Sequence, residues 1–146
     1  MLSNLIVGTW EVVTRIDRTQ DGTEVEEPSL GTDPVALIIF DASGRFAAQF
    51  MRRSAVTIAE TSSLGRAALN NSRAVNGYDA YFGTYKVDDM GSLVTLTLTA
   101  ALSRENVGMV LTREMAVEGD QLVIRVPTAA SDGTPVVRTL TCKRAR

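Results

Sequence analysis

The chain has 146 residues, 45% of them hydrophobic and 22% charged, a balance that fits one globular domain able to bury a core without staples. Its 15 basic and 17 acidic residues leave a net charge of −2, with no long run of either sign. Neither nucleic acid nor an anionic membrane surface is therefore expected as a partner.

Histidine is absent and Cys142 is the lone cysteine. An internal disulfide, every Ser-His or Cys-His arrangement and the usual zinc or redox-metal sites fall away together. The single cysteine fits a reducing compartment. Residues 1–8 carry no basic leader, and no apolar run approaches the roughly 20 residues of a spanning helix. A cytoplasmic protein is expected, with the Asn70-Asn71-Ser72 sequon idle.

Residues 5–19 read as a first strand through Val7, Trp10, Val12, Val13 and Ile16, ended by the turn-forming Gln20-Asp21-Gly22. Residues 24–34 are polar and read as a loop. The apolar run 36–40 and the alternating run 45–53 form a hairpin around Asp41-Ala42-Ser43-Gly44. Leu64, Ala67, Ala68, Asn71 and Val75 recur at helical spacing, so residues 61–75 are the one helical candidate, closed by Gly77. Runs at 81–87, 93–101, 107–117, 121–126 and 135–143 follow, mostly joined by tight turns.

About eight strands with one short helix and no βα alternation predict an all-β fold. An antiparallel sheet of this size leaves two open edges unless it closes. Closure of eight strands gives a barrel whose interior is filled by side chains or holds one small ligand. The expected architecture is such a barrel over residues 1–146 as a single domain, with a two-sheet sandwich as the alternative.

Four stretches carry a family resemblance. They are Gly8-Thr9-Trp10, Phe50-Met51-Arg52-Arg53, the run from Ala80 to Asp88 (Ala-Tyr-Phe-Gly-Thr-Tyr-Lys-Val-Asp), and Arg113 followed by Glu118-Gly119-Asp120-Gln121-Leu122. Together, from about Leu5 to Arg144, they resemble the stand-alone lipocalin-like domain family of bacteria and fungi. The resemblance implies a small antiparallel lipocalin-like barrel with a central cavity. It also implies that Trp10 stacks under Arg144, or under Lys143, to seal the closed end. Some similar barrels in natural-product pathways act as cofactor-free isomerases or cyclases. After Arg113 the family tends to carry aromatics where this chain has Glu114 and Met115, so no ligand class is carried over.

Alternation nominates the cavity wall. Tyr81 and Tyr85 share a face with Gly83, which leaves a gap where something can approach the backbone. Phe46, Phe50 and Arg52 share another face. Arg52 lies at the pocket or its rim, and Gln49 takes that place if the phase is reversed. Leu96 points inward with Val94 and Leu98, while Thr95, Thr97 and Thr99 point out. Arg113 shares the face of Leu111, Met115 and Val117. A buried guanidinium there needs a carboxylate or a ligand oxygen, unless it reaches water at the barrel mouth. Asp79 reads as a turn residue or a gate to the cavity, and Glu105 and Asn106 as solvated.

Two functions follow. One is a container for a small apolar or amphipathic molecule, walled by Phe46, Phe50, Tyr81, Tyr85 and Leu96 and anchored by Arg113 or Arg52. The other, which the resemblance keeps open, is an isomerase, cyclase or dehydratase acting on a polyketide or terpenoid. Tyr81 and Arg113 would then donate to a developing oxyanion. A barrel with a solid, purely structural interior is the third reading. No cofactor and no metal are expected, and the protein is expected as a monomer or homodimer.

Overall fold

Each alternating run forms a strand, and the alternate residues of all of them turn to one side. The computed structural model describes residues 1–54 and 74–146. After a short helix, α1 (Leu2–Leu5), come β1 (Gly8–Arg18), β2 (Glu24–Val25), β3 (Val35–Phe40), β4 (Arg45–Met51) and β5 (Tyr78–Asp88). β6 (Leu93–Ala101), a 3-10 turn (Arg104–Asn106), β7 (Val110–Glu118), β8 (Gln121–Ala129) and β9 (Pro135–Arg144) complete the order. The helix expected over 61–75 lies outside the described residues except at its end, where Val75 pairs with Tyr78 in an isolated bridge. In the 3-10 turn Glu105 is exposed, but Asn106 is buried rather than solvated.

β1 and β3 to β9 run in sequence order, and β9 pairs back onto β1, closing an eight-stranded antiparallel barrel. β2 is a two-residue addition to the β1 side, at Asp17 and Arg18. The continuous β9–β1 ladder removes the free edges that a two-sheet sandwich would keep.

β1 begins at Gly8, three residues later than the pattern suggested, because Leu2–Leu5 coil into a helical turn. Within it a register shift falls between Val12 and Thr14 in the pairing with β9. Such a bulge reverses the inward face. Trp10 and Val12 point in before it, and Arg15 and Asp17 point in after it.

Trp10 is fully buried and donates its Nε1 proton to the Ile6 carbonyl at 2.8 Å. The Arg144 guanidinium lies 4.2 Å from the ring centroid and donates to the carbonyls of Val7 and Leu5, each at 3.0 Å. A Cβ on Gly8, at φ +139°, would stand 2.6 Å from Arg144 Nη1, so only glycine lets the guanidinium settle here. Lys143 faces the other way and pairs with Glu11 at 3.7 Å.

The gap expected at Gly83 is not available to a ligand. The register of β5 on β6 shifts between Phe82 and Gly83, and the β6 backbone closes in. A Cβ at Gly83 would lie 1.8 Å from the Thr97 carbonyl oxygen and 2.8 Å from the Thr99 nitrogen. Gly83→Ala should therefore lower the unfolding free energy by about 3 kcal/mol, read from urea midpoints at constant slope.

Candidate functional site

Burial of the alternating apolar residues fills most of the barrel and leaves a cavity of about 60 Å3 among the described residues. Every barrel strand contributes to its wall: Arg15, Ile38, Phe46, Phe50, Asp79, Tyr81, Leu96, Arg113, Met115, Ile124 and Arg138 are among the lining residues. On a scale where one water needs about 10–15 Å3, the space accommodates roughly four waters or a small organic group.

Five of the residues nominated by alternation meet here: Phe46, Phe50, Tyr81, Leu96 and Arg113. Tyr81 sits between the rings of Phe46 and Phe50, at centroid distances of 6.0 and 6.1 Å. Tyr85 and Arg52 are not part of the wall. The Tyr85 hydroxyl donates to the Asp41 carbonyl at 2.6 Å and its ring meets Phe40 edge-on, so it packs beside the β3–β4 turn. Burial and nearby Asp41 push its phenol pKa up. Arg52 follows the end of β4, donates to the Ser54 hydroxyl at 3.0 Å and lines a separate surface groove.

The polar half of the interior comes mainly from residues that alternation along single runs did not nominate. Arg138 of β9 sets its fork on Asp17 of β1, Nε to Oδ1 at 2.8 Å and Nη2 to Oδ2 at 3.0 Å. Arg15 donates through Nη2 to Glu27 at 3.2 Å, and Glu27 also accepts from the Ser29 hydroxyl. Burial alone would raise the Glu27 pKa, but Arg15, Ser29 and Arg138 pull it below the usual carboxylate range. Burial is also the main reason the Arg15 and Arg113 pKa values fall, although guanidinium stays charged.

Two atoms in this network point to chemistry. Arg15 Nη1 is buried and has no hydrogen-bond partner among the described residues. Asp79, only 2% exposed, accepts one hydrogen bond, from the Ala80 backbone at 2.9 Å. Its carboxyl pKa is pushed up to about 7 by burial, against the pull of that N–H and of Arg15. Asp17 and Glu27 neutralise two of the three interior guanidiniums. The lone thiol of Cys142 is buried elsewhere in the core and pushed up to about 12, which leaves it unreactive.

Arg138 and Asp79 were within reach of the sequence. Arg138 continues the face of the buried Leu140 and Cys142, and Asp79, read from the sequence as a turn residue or a gate to the cavity, continues the face of Tyr81. Arg15 and Asp17 were hidden by the bulge in β1.

A closed eight-stranded barrel around one small cavity is the architecture of small-molecule-binding calycins. A family model described as a lipocalin-like domain matches residues 7–145, and the chain belongs to that family. Comparison with curated proteins returns no match. Among the described residues no helix is long and apolar enough to cross a membrane, and no group of acidic or cysteine side chains is placed to hold a metal ion.

Between pH 5 and 7 the folded chain holds a proton on Asp79 that the unfolded chain has released, so stability falls as pH rises through this window. The carboxylates shifted downward titrate below it. Urea unfolding should show wild type weaker at pH 7.5 than at pH 5 by on the order of 2 kcal/mol. Asp79→Asn should flatten that difference.

Proposed function

We propose that the protein binds one small molecule inside the barrel, with an oxygen-bearing head (a carboxylate, enolate or carbonyl) against Arg15 and Arg113. Its apolar part lies along Phe46, Phe50, Tyr81 and Leu96. The observation that carries this reading is the buried Nη1 of Arg15, a charged donor of a cavity-lining residue with no acceptor among the described residues. Leaving such a donor unsatisfied costs about 1–3 kcal/mol or more, which a ligand oxygen recovers. A cavity of about 60 Å3 encloses a head group of a few heavy atoms rather than a drug-sized body. The barrel acts as a single cytoplasmic domain, consistent with its one buried thiol.

A second reading is favoured by Asp79. A carboxyl of near-neutral pKa on the wall of a cavity with arginine donors and Tyr81 suits a cofactor-free isomerase, cyclase or dehydratase. Its substrate would be a small polyketide- or terpenoid-like carbonyl compound.

The binding reading is tested by titrating the protein calorimetrically with butyrate and with butylamine. Butyrate should bind one-to-one and butylamine should not. Arg15→Lys, which keeps a charge beside Glu27 but removes the second guanidinium arm, should weaken butyrate about tenfold or more. Equal binding of acid and amine, or an unchanged affinity in Arg15→Lys, would contradict it.

A further inference from the structure

The inference rests on the catalytic reading above and names the step and its residues. Arg15 on β1 and Asp79 on β5 line one cavity of about 60 Å3. In so small a space a bound carbonyl group contacts several walls at once. Asp79 forms no ion pair among the described residues, and its single hydrogen bond comes from its own neighbour, Ala80. Arg15 offers a donor with no acceptor among the described residues. One group is free to take a proton, and the other to hold the negative charge that proton removal creates.

We propose that Asp79 enolises a small carbonyl compound held by Arg15, moving a proton between two carbons of the substrate. The Asp79 carboxylate takes a proton from the carbon beside the carbonyl. The C–H electron pair becomes the enolate double bond, and the carbonyl π pair moves onto oxygen, where Arg15 Nη1 donates. The Asp79 carboxylic acid then returns its proton to the same carbon, or to the γ carbon of a β,γ-unsaturated ketone. The second course yields the conjugated isomer. Nothing is oxidised or reduced, and no co-reactant enters.

Among the described residues, the charged and titratable groups that line the cavity with Asp79 are Arg15, Arg113 and Arg138, with Tyr81 on its own strand. Asp17 and Glu27 stand behind the arginines they pair with. Arg15 and the Ala80 N–H favour the ionised carboxylate, and burial opposes it. The step therefore has both protonation states of Asp79 within reach near neutral pH.

The test is proton NMR in deuterium oxide with two probes, 2-oxobutanoate and cyclohex-3-en-1-one, binding being followed in the same tubes by saturation transfer. The protein should speed deuteration beside the carbonyl at least tenfold over buffer and convert cyclohexenone to its conjugated isomer. The rate should rise with pH and level off above about 7. Asp79→Asn should return exchange to the buffer rate while the probe still binds, and Arg15→Lys should slow it about 10²-fold. Binding without exchange overturns this inference and leaves the container intact. Absence of binding by both probes overturns both. Exchange that survives in Asp79→Asn, or a wild-type rate flat from pH 5 to 8, removes Asp79 from the step.

Discussion

The interior of this barrel is organised by the fork of Arg138 on Asp17 and the neighbouring pair of Arg15 with Glu27. Buried ion pairs of this kind stabilise a fold little compared with apolar residues of equal volume, whereas removing one partner is costly. Their effect here is positional. Asp17 and Arg138 join the two strands whose pairing closes the barrel, and Glu27 brings the β2–β3 loop onto the same cluster. Two guanidiniums are thereby fixed inside the barrel, and one nitrogen of Arg15, a residue of the cavity wall, is left without a hydrogen-bond partner among the described residues.

Everything around that cluster serves to place it. The bulge after Val12 gives β1 an apolar half that packs around Trp10 and a charged half that enters the cavity. Arg144 over Trp10 seals one end, where the last strand meets the first. At Gly83 the β6 backbone presses into β5, which fixes the register that keeps Asp79 and Tyr81 facing inward. Residues far apart in sequence, from β1, β5, β7 and β9, so come to share one small volume. A polar pole and an aromatic pole result, and together they suit a molecule with one oxygen-rich end.

Strand number, turn positions and barrel closure were legible in the sequence because alternation and Asp-Gly or Gly-Asp turns are local signals. The inward phase of Phe46, Phe50, Leu96 and Arg113 could be read the same way, since each alternates with clear apolar partners on its own run. Tyr85 and Arg52 had the right parity, but Tyr85 packs beside the β3–β4 turn and Arg52 falls just past the end of β4, so neither reaches the cavity. Arg15 and Asp17 lay beyond local reading, because a bulge that inverts a strand's face has no signature in Val12-Val13 alone. The pairing of Glu27 with Arg15 depends on a loop folding back, which no periodicity encodes. Gly83 shows a further limit: a glycine marks a close approach without naming what approaches.

A binding or catalytic role requires that the free arm of Arg15 face a space into which a small molecule's oxygen can enter. A high-resolution crystal structure of the protein soaked in butyrate examines this most directly. An oxygen of the acid should lie at hydrogen-bond distance from Arg15 Nη1, with Arg138 still on Asp17. A guanidinium turned onto a protein acceptor, with side chains packed solid where the cavity lies, would contradict it.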